Sequence, residues 1–154
     1  MLLSSVQKGK LIESQIANML TLVSDGQINV SIPIVDDDGI DLLVNRKGCF
    51  NVVFLQVKSR FVTTSGFKNR LDFQVQKSSF KVSDNFYILC VYFDQAKNEI
   101  DTMWLIPSIE VKNQSVSLEL HFRIVANRNE VSNDKWSGFK VTPERLISSL
   151  EVIL

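Results

Sequence analysis

The chain has little cysteine, a single histidine, no excess of either charge and no long apolar run, and each shortage removes a class of function. Its 154 residues carry 17 basic and 17 acidic side chains, a formal net charge of zero. Proteins drawn to nucleic acid by a general field usually show a basic excess, so any such binding here must come from how the charges are distributed. Cys49 and Cys90 stand far apart without a CxxC partner. That argues against a disulfide framework or a structural zinc site and leaves two reduced thiols in or near a core. His121 alone cannot supply a two-histidine metal set, and no motif around a serine or cysteine makes it the base of a nucleophilic site. Neither GxGxxG nor GxxxxGK[ST] occurs, so dinucleotide and P-loop chemistry find no support. No apolar stretch approaches the roughly 20 residues of a membrane span, and Met1-Leu2-Leu3 runs straight into polar sequence where a secretory signal needs more apolar length. The expected location is the cytoplasm.

What is present is a hydrophobic fraction of 45% in a length that suits one domain over residues 1–154. Ser4 to Ser24 reads as a helix. Ser4-x-x-Gln7 forms a capping box, Leu11, Ile12, Ile16, Met19, Leu20 and Val23 recur at helical spacing, and Gly26 stands just past the end. Ile28 to Val35 alternates strictly, and Pro33 limits it to an edge strand or a strand end. Asp36, Asp37, Asp38 and Gly39 form a turn. Ile40 to Val44 and Val52 to Arg60 read as antiparallel strands joined through Asn45-Arg46-Lys47-Gly48. Phe61 to Arg70 reads as a loop, and Phe73 to Asp84 is ambiguous, with weak helical spacing.

Phe86 to Phe93 is nearly all apolar and predicts a central strand buried on both faces. Thr102 to Ile106 and Val116 to Val125 are further strands. Asn127 to Gly138 is irregular and polar, and Thr142-Pro143-Glu144 opens a closing helix with Thr as cap and Pro at its first position. The expected fold is α/β, a central mixed sheet flanked by helices.

Chemistry concentrates in one constellation. On a strand Gln56 and Lys58 share a face while Leu55 and Val57 point the other way. Val52 and Phe54 precede the pair on its own face, so Gln56-x-Lys58 sits at the margin of something buried. A hairpin turning near Lys47 places Asp41 opposite Val53 or Phe54, give or take two residues. Gln56 is then a near neighbour, close enough for a cation with oxygen bonds of about 2.1 Å to bridge the two if the strands splay or bulge. Glu13 lies beside the apolar stripe of the first helix, on the side of Ile16, Ala17 and Leu20, and a helix packed on the sheet can turn its carboxylate toward Asp41. The run that follows, Lys58, Arg60, Lys68, Arg70, Lys77 and Lys81 against Asp72 alone, is basic, while Asp36, Asp37, Asp38 and Asp41 crowd just before it. Phe67, Phe73 and Trp136 among these cations suit core packing better than base stacking.

The order Gly9-x3-Glu13 on a helix, Gly39-Ile40-Asp41 opening a strand and Gln56-x-Lys58 on the next resembles the PD-(D/E)xK nuclease superfamily, the restriction-endonuclease-like fold. Lys8-Gly9 to Glu13 is similar to the start of archaeal Holliday-junction resolvases. Trp104-Leu105-Ile106-Pro107-Ser108, Lys135-Trp136 and the closing Pro143-Glu144-Arg145-Leu146 look like small uncharacterised bacterial members. The resemblance implies a Mg²⁺- or Mn²⁺-dependent endonuclease acting on DNA. Asp41 and Gln56 would be metal ligands, Glu13 a direct or water-mediated ligand, and Lys58 the group that positions water and stabilises charge. Asp37 and Asp38 are alternative ligands, Asp38 being better suited to the turn before Gly39. Lys8, Lys10, Arg60, Lys68, Arg70 and Lys77 would contact nucleic acid. The sequence departs from the pattern in having Gln56 where glutamate is commoner and no proline before Asp41. A second reading therefore keeps the fold without cleavage, as a module that binds DNA or a protein partner. A homodimer is plausible, since two symmetric sites cut a duplex most simply.

Overall fold

Ser4 starts the first helix by a reciprocal cap: its hydroxyl accepts from the Gln7 N–H, and the Gln7 side chain accepts from the Ser4 N–H. Two of the four orphan donors of a helix start are thereby satisfied. At the other end Gly26, at φ +70°, returns its N–H to Thr21. The computed structural model describes residues 3–35, 38–62, 65–129 and 133–154.

The elements in chain order are α1 (Ser5–Val23), β1 (Ile28–Ser31), β2 (Leu42–Arg46), β3 (Val52–Phe61), β4 (Arg70–Gln76), β5 (Phe86–Asp94) and β6 (Glu99–Pro107). They continue with α2 (Ser108–Gln114), β7 (Val116–Ser117), β8 (His121–Asn127), a 3₁₀ turn at Ser137–Phe139, β9 (Lys140–Val141) and α3 (Pro143–Ile153). The main sheet has the order β1-β2-β3-β5-β6-β9, with β3 and β5 parallel and the other neighbours antiparallel. A smaller antiparallel sheet runs β4-β8-β7. This is the expected α/β fold with a central mixed sheet. No helix among the described residues is long and apolar enough to cross a membrane.

Strand alternation divides the apolar residues into two cores. Val53 and Leu55 on β3, with Leu42, Val44, Leu89 and Val91, meet Ile12, Ile16 and Leu20 of α1 and Leu146 and Leu150 of α3. On the other face Phe54, Phe86, Ile88, Cys90 and Trp104 meet Phe73, Val75 and Ile124 of the smaller sheet. Each such side chain contributes roughly 1.5–3 kcal/mol by leaving water. β5 serves both cores, as its continuous apolar sequence predicts.

Three expectations need correction. β1 stops at Ser31, not Val35, and Ile32 and Ile34 are exposed; the registered ladder ends at Ser31–Leu43, so alternation beyond it has no partner to face. β4 starts at Arg70, the last residue of the expected loop, and runs to Gln76 inside the ambiguous stretch, its Leu71, Phe73 and Val75 alternating inward. Val116 to Val125 is not one strand but a hairpin, β7 turning at Leu118–Leu120 into β8.

Beyond the cores, one charged clamp ties β6 to the chain after β8. Arg128 Nε donates to Asp101 Oδ2 at 2.6 Å and Nη2 to Oδ1 at 3.1 Å, Thr102 adds a hydroxyl, and the guanidinium lies 4.4 Å from the Phe67 ring centroid. Burial acts to raise the Asp101 carboxyl, but the hydrogen bonds from Arg128 and Thr102 and the nearby cations outweigh it and hold the group below its ordinary value of 3.8. A carboxylate depressed on folding stabilises the native state above its unfolded pKa and loses that contribution as pH falls through the folded one. Asp101→Asn should therefore cost about 1 kcal/mol at neutral pH, a figure already reduced for solvent screening at this partly open site. Urea denaturation in steps below about pH 4 should show the gap between wild type and variant closing; an unchanged gap would contradict the clamp.

Candidate active site

The hairpin of β2 and β3 keeps a regular ladder from Asn45–Val52 to Leu42–Leu55. One residue further it changes. The Asp41 N–H donates to the Leu55 carbonyl at 2.9 Å, and the Val57 N–H donates to the Asp41 carboxylate Oδ2 at 2.6 Å. Asp41 and Leu42 thus both answer to Leu55, the two-against-one arrangement of a bulge. This departure from the regular ladder falls at the end of the hairpin where Asp41 and Gln56 lie. A strand N–H lies in the plane of its sheet, so the Asp41 carboxylate is drawn into that plane by a charge-assisted bond roughly twice as strong as a neutral one.

Gln56 and Lys58 share the face of Ile88 and Cys90, their register partners on β5. Gln56 is only 3% exposed, and its Oε1 is buried with no hydrogen-bond partner among the described residues. An orphaned buried acceptor costs about 1–3 kcal/mol and asks for an explanation. Lys58, two residues on, is half-buried. Behind it burial pushes the Cys90 thiol well up, against the opposing influence of Lys58 and Arg60. That thiol stays protonated and offers no soft ligand. Cys49 is exposed and free.

Glu13 is 7% exposed on α1, and its Oε2 accepts from Lys10 Nζ at 2.7 Å. The helix packs on the face of Leu42 and Leu55, opposite the one that carries Gln56 and Lys58. Asp41 precedes Leu42 of the α1-covered face and is bonded through the Val57 N–H to the strand that carries Gln56. The described residues hold no group of three His, Cys, Asp or Glu side chains arranged for a metal, so a metal set here depends on the Gln56 amide. Asp37 lies outside the described residues. Asp38 is exposed and paired with Lys81 at 2.7 Å.

The other basic candidates take several directions. Lys8 lies 5.2 Å over the Phe61 ring. Arg60 donates from Nε to the Asp72 carbonyl at 2.7 Å. Lys68 and Arg70 are exposed. Lys77 turns away to Ser117 at 2.8 Å.

Two residues shape the site, Gly39 from the predicted turn and Ser79 from the stretch left ambiguous in the sequence. Gly39 has φ +66°, and a Cβ there would stand 2.6 Å from Gln56 Nε2 and 2.7 Å from Ser79 Oγ. The missing side chain is what lets the Gln56 amide and Ser79 close over this turn. A cleft of about 250 Å³ opens beside them, lined by Ile40, Phe54, Ser79 and Phe86 with the Asp38–Lys81 pair at its edge. The glycine of the turn was readable, but nothing in Ser78-Ser79 signals a neighbour 40 residues away. Gly39→Ala should cost about 1–3 kcal/mol through the left-handed backbone and the overlap together. Adding Ser79→Gly should restore the part due to overlap with Ser79 and leave the backbone part and the overlap with the Gln56 amide. Thermal denaturation of the single and double variants checks this, and equal melting of wild type and Gly39→Ala would refute it.

No protein-family model matches the chain, and no curated protein matches its sequence. Among solved structures it is similar to a bacterial homing endonuclease, I-Ssp6803I, with a TM-score of 0.61 and 17% identity over 99% of this chain and 95% of that one. At that identity the likeness establishes the fold.

Proposed function

We propose that the chain is a metal-dependent nuclease that hydrolyses phosphodiester bonds in DNA, with its site at Asp41, Gln56, Lys58 and Glu13. The observation that carries this reading is the orphaned Gln56 Oε1, buried beside the Asp41 bulge with Lys58 next on the same face. The structural neighbour named as an endonuclease adds support at the level of fold.

A carboxylate and an amide oxygen are hard donors suited to Mg²⁺ or Mn²⁺ and unsuited to thiophilic metals. Asp41 and Gln56 would hold the ion, with Glu13 as a further direct or water-mediated ligand. Such an ion supplies Lewis-acid polarisation of the phosphoryl oxygen and of the attacking water. The chain's own part is placement. The Val57 N–H fixes the Asp41 carboxylate, Gly39 leaves room for the Gln56 amide beside Ser79, and the Lys58 ammonium would orient water and stabilise charge on the phosphoryl group. Two copies would cut both strands of a duplex most simply.

A second reading, a nuclease fold that binds DNA or a protein partner with little or no cleavage, draws on two observations: the amide at position 56 removes one negative charge, and Lys10 already neutralises Glu13. Incubating the protein with supercoiled, linear, single-stranded and branched DNA in Mg²⁺ and in Mn²⁺ separates the readings. Cleavage that a chelator stops supports the nuclease. DNA binding with no cleavage of any substrate supports the second reading.

A further inference from the structure

Zero net charge conceals a strong local asymmetry on the smaller sheet. On β4 the residues Leu71, Phe73 and Val75 turn inward, so Arg70, Asp72 and Gln74 face out. Register sets Asn127 beside Arg70 and Arg123 beside Gln74 on that outward face. Residues Asn133–Trp136 wall it into a cleft of about 590 Å³ that also takes in Lys135.

The acids in this region are already engaged. Asp134 accepts the Asn127 N–H at 2.8 Å and the Trp136 N–H at 3.0 Å, one on each oxygen. Asp72 Oδ2 receives Arg123 at 2.6 Å. Arg70 also lines a second cleft of about 180 Å³ with Arg60, Lys68 and Asp72, so the two clefts share a wall. Arg60, fixed by the Asp72 carbonyl, stands two residues beyond Lys58 and on its face of β3.

Six cations (Lys58, Arg60, Lys68, Arg70, Arg123 and Lys135) therefore run from the candidate site around the edge of β4, against Asp72 and Asp134. The band carries +4 in a chain whose total is zero. From Gln56 to Arg60 the strand advances about 13 Å, roughly four nucleotide steps at 3.4 Å each along one strand of a duplex.

We infer that this band binds the phosphate backbone of duplex DNA flanking the cleaved bond, an inference that rests on the nuclease reading for the path it assigns. Its chemistry is that of phosphate contact, not base stacking. Trp136 is 1% exposed, and the ring of Phe67, itself 42% exposed, already carries Arg128 and Lys97 over it. Single-strand binders instead rely on open aromatic platforms. The new members are Arg123 and Lys135, which place the path on the outer face of the smaller sheet.

Fluorescence anisotropy with a labelled duplex and a single strand of equal length, in chelator so that no cleavage intervenes, tests the band across a salt series. The double variant Arg70→Gln with Lys135→Gln should bind duplex about 50-fold more weakly at about 0.1 M salt. Its log–log salt slope should fall by about 2, one counterion for each lost contact. Lys47→Gln, on the exposed turn after β2, should match wild type, and wild type should prefer duplex over single strand. Unchanged affinity and slope in the double variant would overturn the band, as would equal binding of polyglutamate by wild type. Cleavage is scored separately. Cutting by a protein whose double variant binds normally fails the band and leaves the nuclease standing; salt-sensitive duplex binding through the band without cutting does the reverse.

Discussion

Asp41→Asn should reduce metal-dependent cleavage by at least about 10²–10³-fold while leaving the protein folded. The substitution keeps an oxygen for the Val57 N–H, which Asp41 now receives at 2.6 Å, so the bond between Asp41 and β3 persists. What is lost is the negative charge that a divalent cation needs. Weakening one charge-assisted hydrogen bond to a neutral one should cost no more than about 1 kcal/mol of stability. Asp41→Ala, by contrast, removes the acceptor as well and leaves the Val57 N–H without it. Comparing the two separates chemistry from folding: cleavage rates should be equally low, while the urea midpoint should drop mainly for alanine. Near wild-type cleavage by Asp41→Asn would remove Asp41 from the metal set. Lys58→Ala should reduce the rate similarly without weakening metal binding, because an ammonium stabilises charge without coordinating.

How far the site could be read from sequence depends on the physics behind each piece. Period-2 alternation placed Gln56 with Lys58, and the hairpin placed Asp41 within two residues of its observed register; both are local rules. The capping box of α1, the continuous apolar run of β5 and the Thr142-Pro143 start of α3 were readable for the same reason. Helix spacing gave Glu13 a side of α1 but not the layer on which α1 lies. The structure sets α1 on the Leu55 face and Gln56 on the other, a choice made by tertiary packing. The two-residue β7 and the turn at Leu118–Leu120 were hidden because hydrophobic alternation runs unbroken through a tight hairpin. Seven-residue α2 follows Pro107 without a side-chain cap, so it gave no start signal. The orphaned Gln56 oxygen was beyond reach, since it depends on Gly39 and Ser79 arriving from two different turns.

That orphaned oxygen leads to the substitution expected to act in two directions at once. Gln56→Glu exchanges the amide for a carboxylate, and a second carboxylate beside Asp41 should tighten Mg²⁺ or Mn²⁺ binding by about 10-fold or more, since ligand charge count sets affinity at hard-cation sites. Without metal the same change should be costly. A carboxylate in a place 3% exposed, near another carboxylate, is disfavoured by burial and by like charge, so the metal-free variant should lose about 1–3 kcal/mol at neutral pH. The sign follows from linkage: a carboxyl raised on folding destabilises the native state as pH rises through its unfolded pKa, and protonation below that value relieves it. Added metal should reverse the loss, because an ion that binds only the folded state stabilises it by mass action. Thermal melts of wild type and Gln56→Glu, with chelator and with millimolar Mn²⁺, read this as a crossing: the variant lower without metal, equal or higher with it. A variant that melts lower by the same margin in both conditions would mean that the residue 56 side chain meets no cation. The orphaned oxygen would then be a packing cost of the fold, and the ligand set proposed at Asp41 and Gln56 would fall with it.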